Sequence, residues 1–251
     1  MTFSDHFSSQ AKRYADFRPG YPPELLSWLA AKCPAQQRCW DAGTGSGQVA
    51  ILAADHFDSV YASDASASQI AHAIGHPRVT YAVEPAEEPD LPDDSVDLIT
   101  VGAAIHWLDR PSFFDSAKRV GRPGSVLAAF SYGVQMKDSP ALNAVLHHYV
   151  KHVLDPWWTE GHELVLNRYV DLTLPFERIN LPLFHARSHG NFASLKELLR
   201  TWSGAARMSL ATQTDPVELV EADLKAAWKV GGETGEARTL EWPIFGSVGR
   251  I

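Results

Sequence analysis

A short apolar run closing at Cys39 and Trp40 is followed by Asp41-Ala42-Gly43-Thr44-Gly45-Ser46-Gly47-Gln48, and a second apolar run of helical character opens at Val49. Three alternate glycines on a strand-to-helix turn restrict what can be built there. Glycine tolerates positive φ and lets a ligand lie directly against the backbone. The helix that follows aims unpaired N–H groups at whatever occupies the turn. Asp64 closes the next apolar run, Ser59 to Ser63. An acid at the end of a second strand, about twenty residues on, is placed to grip a ribose diol. The expectation is an α/β fold that carries a nucleoside cofactor.

Which nucleoside depends on the spacing. A dinucleotide-binding turn asks for Gly-x-Gly-x-x-Gly or Ala, whereas here the third glycine falls one place early and Gln48 takes the sixth position. Asp41 also puts a carboxylate where a pyrophosphate would be repelled. A carboxylate suits a ligand that carries an ammonium group and a sulfonium. The pattern resembles the first motif of class I S-adenosylmethionine (SAM) methyltransferases, Asp/Glu-x-Gly-x-Gly-x-Gly. A nicotinamide-dependent oxidoreductase is the competing reading, and a SAM-using cyclase or lyase that transfers no methyl group is a third.

The resemblance continues. Arg78 to Val83 reads as a third strand, and Ala86-Glu87 through Leu91-Pro92 to Ser95-Val96-Asp97 follows the Ala-Glu-x-Leu-Pro-x-x-Asp-x-Ser-Phe-Asp signature of the same methyltransferases. The segment before Ala-Glu borders the adenine in that family. Pro85 stands where many relatives have Asp, which leaves the backbone at Ala86 and Glu87 to read the base. A fourth strand at Leu98 to Val101, a helix at Pro111 to Val120, a turn at Arg122 to Gly124 and a fifth strand at Ser125 to Ser131 complete a strand–helix alternation, which means a doubly wound sheet. The resemblance implies a Rossmann-like, seven-stranded, mostly parallel sheet with an antiparallel last strand and helices on both faces.

A narrower resemblance begins earlier. Phe7-Ser8, Gln10-Ala11, Tyr14-Ala15, Phe17-Arg18-Pro19 and Tyr21-Pro22 look like the opening of the trans-aconitate methyltransferase-like subfamily. His106-Trp107 and the closing Trp242-Pro243-x-x-x-Gly246 are its other marks. The resemblance implies that Tyr14, Arg18, Asp41, Ala42, Gly43, Thr44, Gly45, Gly47 and Gln48 hold the cofactor. Asp64, Ala65, Gln69, Pro85, Ala86, Glu87, Gly102 and Ala103 complete its site. Arg18, Tyr21, His106, Trp107, Tyr132, Trp157 and Trp158 are the candidates for the substrate. The product would be S-adenosylhomocysteine.

The chemistry asks little of the protein, because SAM carries its own leaving group and needs only alignment and exclusion of water. A carboxylate acceptor, as the resemblance suggests, attacks in line with no base, since it is ionised at neutral pH. Arg18 would hold that acid, or the methionine carboxylate of SAM. A phenol or amine acceptor would want a base, and His106 is the nominee; otherwise it is a satisfied histidine fixing its loop. Asp41 either grips the amino group of SAM or braces the glycine turn from below. Trp107, Trp157 and Trp158 sit in loops above the sheet edge and read as pocket walls, while Trp228 and Trp242 read as core.

The chain has 251 residues, enough for one large α/β domain with a cap. Residues 1–35 read as a lid segment and helix, 36–133 as the cofactor core, and 134–175 and 190–232 as insertions that form the substrate pocket. Within these, Pro140 to Leu154 and Glu160 to Tyr169 have helical spacing, and Ile179 to Ala186 alternates as strand six. Asn191 and Asp215-Pro216 start helices, and Ala237 to Phe245 forms the last strand. A net charge of −8 argues against a nucleic acid partner. With no long apolar run and no leader, a membrane partner is not expected either. Cys33 and Cys39 fit neither a metal nor a redox spacing, read as free buried thiols, and no metal is expected. A cytoplasmic monomer or homodimer acting on a small molecule is the expectation.

Overall fold

The computed structural model describes residues 18–159 and 161–251. Tyr14 and the motif residues from Phe7 to Phe17 lie outside them. The chain opens with helix α1 (Pro23–Ala30), strand β1 (Arg38–Ala42) and helix α2 (Gln48–Ala54). Strand β2 (Ser59–Asp64), the short helix α3 (Ala67–Ala71), β3 (Val79–Val83) and β4 (Val96–Gly102) follow. A single 3-10 turn at Ile105–Trp107 leads to α4 (Arg110–Val120) and the long β5 (Gly121–Tyr132). Beyond β5 come α5 (Pro140–His148), a widened turn at Tyr149–Val153, a 3-10 turn at Asp155–Trp157 and α6 (His162–Leu166). The rest is β6 (Glu177–Ile179), β7 (His185–Gly190), α7 (Phe192–Arg200), α8 (Ser203–Thr212), α9 (Glu221–Lys229) and β8 (Arg238–Arg250).

Side chains alternate across each strand, and that alternation sets the layers. Leu98, Val126, Ala128 and Phe130 face one way, in one cluster with residues of α1, α2, α5, α7 and α9. Ile99, Val101, Leu127 and Ala129 face the other way, onto α4 with Phe113 and Ala117. Strands buried on both faces read as continuous apolar runs, as parallel sheets require. The order is β3-β2-β1-β4-β5-β8-β6, with β7 paired to β8 off this path. The pairs β1·β2, β1·β4, β2·β3 and β4·β5 are parallel, and β8 is antiparallel to β5, β6 and β7.

The doubly wound fold with an antiparallel last strand stands as expected, with eight strands instead of seven. The expected strand at 179–186 divides, because Pro182 offers no N–H to a ladder. Its ends instead join β6 and β7, on either side of an unpaired stretch. The last strand runs on to Arg250, and the helix expected from Glu160 to Tyr169 shortens to α6. The helix predicted at Asp215 begins at Glu221, after a 3-10 turn at Glu218–Val220. Residues 203–212 form a further helix that no start signal in the sequence announces. Cys39 is fully buried, but Cys33 is only half-buried. Among the described residues no helix is long and apolar enough to cross a membrane.

Two motif residues turn out to hold the sheet together. A Cβ at Gly246 would fall against the Ala129 carbonyl and 2.9 Å from Phe130 Cα, so only glycine lets β8 close on β5 there. Asp97, fully buried, accepts backbone N–H bonds from Gln37 and Arg38 on Oδ2, at 2.8 and 2.9 Å. Its Oδ1 takes Arg122 Nη1 at 2.7 Å. One carboxylate thus ties the start of β1 to the start of β5. Asp97→Ala strands a half-buried guanidinium and two amides. We expect it to lower the unfolding free energy by about 3 kcal/mol or more in urea titration.

Candidate active site

Parallel strands deliver their carboxyl ends to one edge of the sheet, where open α/β folds bind ligands. The glycine turn lies on that edge at the end of β1. Gly43, Gly45 and Gly47 have φ of 66°, 57° and 87°, all left-handed, which explains their residue type. A Cβ on Gly43 would also come within 2.7 Å of Ala104 Cβ. The turn is fastened to the end of β2: Thr44 N donates to Ser63 O at 2.9 Å, and Gly45 N donates to Asp64 Oδ2 at 2.8 Å. Asp64 Oδ1 accepts from Ser66 N at 2.8 Å.

Asp41 braces this turn from inside. It is fully buried, and Thr44 Oγ1 donates to Oδ2 at 2.6 Å while Thr100 Oγ1 donates to Oδ1 at 2.7 Å. Burial pushes its carboxyl up to about 6. The two threonine hydrogen bonds pull it down, and the Asp64 charge nearby adds to the rise. Around the turn, Ser46 Oγ and Gln69 Oε1 are buried without a hydrogen-bond partner among the described residues. Gln69 Oε1 lies 3.9 Å from the Cβ position of Gly45. Left-handed glycines and two orphaned polar atoms make a cradle that fits the ribose and amino-acid end of a nucleoside ligand.

The adenine-side segment is exposed at Pro85 and buried at Ala86. Glu87 turns away: its Oε1 accepts from Asp109 N at 2.7 Å, ahead of α4, and its carbonyl accepts from Ser116 Oγ at 2.5 Å. The motif does not single out Glu84. Its Oε2 accepts from Tyr61 Oη at 3.0 Å, while Oε1 is buried without a partner among the described residues. Its only signal in the sequence is an acid one place before the expected position.

Beside the turn, Gly102 ends β4 and Ala103 takes a left-handed φ of 52°, which brings the loop back over the strand ends. Ala103, His106 and Trp107 of this loop line a cavity between the sheet edge and the insertions. Tyr132 closes it from β5, and Trp158, His162 and Val165 from the first insertion. Leu198, Trp202 and Ser203 close it from the second, Trp242 from β8, and Arg18 from the chain's beginning. Arg18 Nη2 donates to Thr201 O at 3.1 Å, which ties that segment to the junction of α7 and α8.

His106 touches Tyr169 Oη through Nδ1 at 3.5 Å, the outer limit of a hydrogen bond, and lies 4.9 Å from the Trp107 ring. His162 stacks on Trp158 at 3.6 Å and 5°. Burial lowers His106 to about 3, with the His162 and Arg18 charges adding to the effect. Burial, Arg18 and Lys151 lower His162 to about 4. Both rings are therefore neutral at physiological pH.

The cavity brings together Arg18, His106, Trp107, Tyr132 and Trp158 of the residues expected for the substrate. It does not include Tyr21 or Trp157. Tyr21 is buried beneath it, edge-on to Phe130 at 5.0 Å and behind Tyr132. Trp157 ends a 3-10 turn, and it is the next residue, Trp158, that reaches the cavity. Trp228 is core, whereas Trp242 is both buried and part of the cavity wall. His162 and Trp202 carry no sequence signal, because neither stands in a motif.

Residues 40–129 match the family model described as a methyltransferase domain. A protein of Dictyostelium discoideum named as a methyltransferase is 30% identical over 246 residues, covering 97% of this chain and 94% of its own length. A solved structure from Anaeromyxobacter dehalogenans, described as a type II methyltransferase, superposes with a TM-score of 0.83 at 35% identity, covering 93% of this chain and 98% of that one. A Bacillus halodurans structure covers 91% of this chain and 97% of its own at a TM-score of 0.51 and 21% identity, a likeness of fold.

The raised carboxyl of Asp41 has a definite sign in stability. Its neutral form contributes stability that is present below about pH 4 and is lost as pH rises through about 6. Asp41→Asn keeps a neutral group at all pH. Relative to that variant, the wild type should lose on the order of 3 kcal/mol between about pH 4 and 7. Urea titrations of both proteins across that range check it, and a difference that does not vary with pH contradicts it.

Proposed function

Since the chain belongs to the class I SAM-dependent methyltransferases, we propose that it methylates a carboxylate oxygen of a small molecule. The observation that carries this reading is the chemistry of the cavity. Among its described lining residues Arg18 is the only charged side chain, and none is Asp or Glu, in a chain whose net charge is −8. Aromatic walls with a guanidinium suit an anion with an apolar body. Bound SAM supplies an electrophilic methyl carbon together with its own leaving group.

What remains for the protein is to bind, orient and keep water out. Asp64 and the glycine turn are read as holding the sugar and the methionine end, with Asp41 keeping the turn in shape. The insertions 134–175 and 190–232 are read as the cap that excludes water. A phenol or amine acceptor would need a base that takes up its proton near neutral pH. Imidazoles lowered to about 3 and about 4 are too weakly basic for that task. A carboxylate, with an ordinary pKa of about 4, arrives ionised and needs no base. His106 is then a neutral wall of the pocket rather than a base.

Incubation with methyl-labelled SAM and a panel of small acids tests the reading. A base-labile methyl ester should form along with S-adenosylhomocysteine. Methylthioadenosine in place of S-adenosylhomocysteine, or label confined to phenols or amines, would overturn it. With an acid acceptor, kcat of the Asp41→Asn variant, which lacks the carboxyl that titrates at about 6, should be level between about pH 5.5 and 8, because neither imidazole titrates in that window. A rise with a midpoint at about 6.5 would restore His106 as the base. Asp64→Ala should weaken SAM binding by about 1–3 kcal/mol in calorimetry, and unchanged affinity would contradict the ribose role.

A further inference from the structure

Tyr169, whose hydroxyl reaches His106 in the cavity wall, also lines a second groove. Phe245 borders that groove too, edge-on to Tyr169 at 5.2 Å. The groove and the cavity share no described lining residue. Its origin is the break between β6 and β7. Strand pairing with β8 stops at Ile179 and resumes at His185, and Pro182 carries no N–H with which to continue the ladder. A space of about 680 Å³ is left beside Ile244 to Val248. Sites for small molecules span roughly 300–1,000 Å³, so the groove has the volume of a ligand site.

The walls are apolar and mostly aliphatic. Val170 and Leu183 are 81% and 69% exposed there, while Leu174, Phe176 and Leu181 are half-buried. Apolar surface left in water is stabilised when an apolar body covers it. The charge of the lining has one sign. Arg168 and Arg178 supply it, and no acid among the described residues lines the groove, in a chain of net charge −8. Glu177 falls on the opposite face of β6 from Arg178, and Asp171 also stays out of the lining. Arg168 lies over the Phe245 ring at 5.7 Å. Neither guanidinium makes an ion pair among the described residues. Guanidinium groups beside an aliphatic trough are matched by an anionic head that carries an apolar tail.

We propose that this groove binds a monomeric, single-chain anionic amphiphile taken up from solution, at a site distinct from the aromatic cavity. Its head meets Arg168 and Arg178, and its alkyl chain lies along Val170, Leu174, Leu181 and Leu183.

Decanesulfonate, ethanesulfonate and decyltrimethylammonium separate head from chain, and none carries a carboxylate. Calorimetry with the full-length protein, below the concentration at which each probe forms micelles, reads the binding. Decanesulfonate should bind at a single saturable site, about tenfold or more tighter than either of the others. The double variant Arg168→Gln/Arg178→Gln should bind it about tenfold or more weaker, and so should Leu183→Asp. Arg168→Lys/Arg178→Lys keeps the charge and should keep most of the affinity, and Arg18→Gln should leave it unchanged. Thermal melting confirms that each variant folds. A smaller margin over either probe, binding that appears only with micelles, or no binding would overturn the proposal. So would an affinity that survives the groove substitutions or falls with Arg18→Gln.

Discussion

Asp41 has no exposed surface, and both of its oxygens are committed, one to Thr44 in the glycine turn and the other to Thr100 in β4. Two parallel strands and the turn between strand and helix thus share one carboxylate. The turn cannot shift without breaking a bond that is buried and charge-assisted. Because Gly45 is in turn bonded to Asp64, the end of β2 follows the same constraint. The arrangement works against stability, since the carboxyl is held up at about 6 by burial. A fold that keeps an expensive charge under a ligand cradle gains a fixed negative potential there, of the sign a sulfonium and an ammonium call for.

The cavity beside it is built differently. Among the described residues no carboxylate network spans it. Rings from the 3-10 turn after β4, from both insertions and from β8 converge on a space above the sheet edge. Packing sets its shape, and burial keeps its imidazoles neutral. The glycine turn is held by hydrogen bonds within the core, while the cavity is walled by aromatic surfaces contributed from far apart in the chain. The cavity draws on the sheet as well as on the loops, since Tyr132 and Trp242 stand on β5 and β8.

That division explains which features are legible in the residues alone. The glycine turn, Asp41, Asp64 and the strand–helix order are local patterns, each contained in a short stretch of chain. Asp97 reads as part of a signature, and the structure gives the signature a mechanical reason. The sixth strand is misplaced by pattern alone, because alternation continues through Asn180 to Phe184, across a proline that forbids a ladder. Tyr21 and Trp157 point to the pocket by their neighbourhood in sequence, but one ring packs under β5 and the other stays outside the cavity. His162 and Trp202 give no sign at all. Their proximity to Arg18 exists only once the insertions fold back, and no spacing rule reaches across that distance.

Strand β8 pairs through its second half with β5 and β6, and through its first half with β7. Until it arrives, β5 is a bare edge made of Val126 to Phe130, apolar and ready to accept any passing strand. On the ribosome every one of its partners is synthesised before it, so the nascent chain carries that open edge through a long part of its translation. The small Gly246, seated against Ala129 and Phe130, is what lets the late strand slot in flush. Aggregation during synthesis, rather than loss of the finished fold, is therefore the hazard that this topology builds into the molecule.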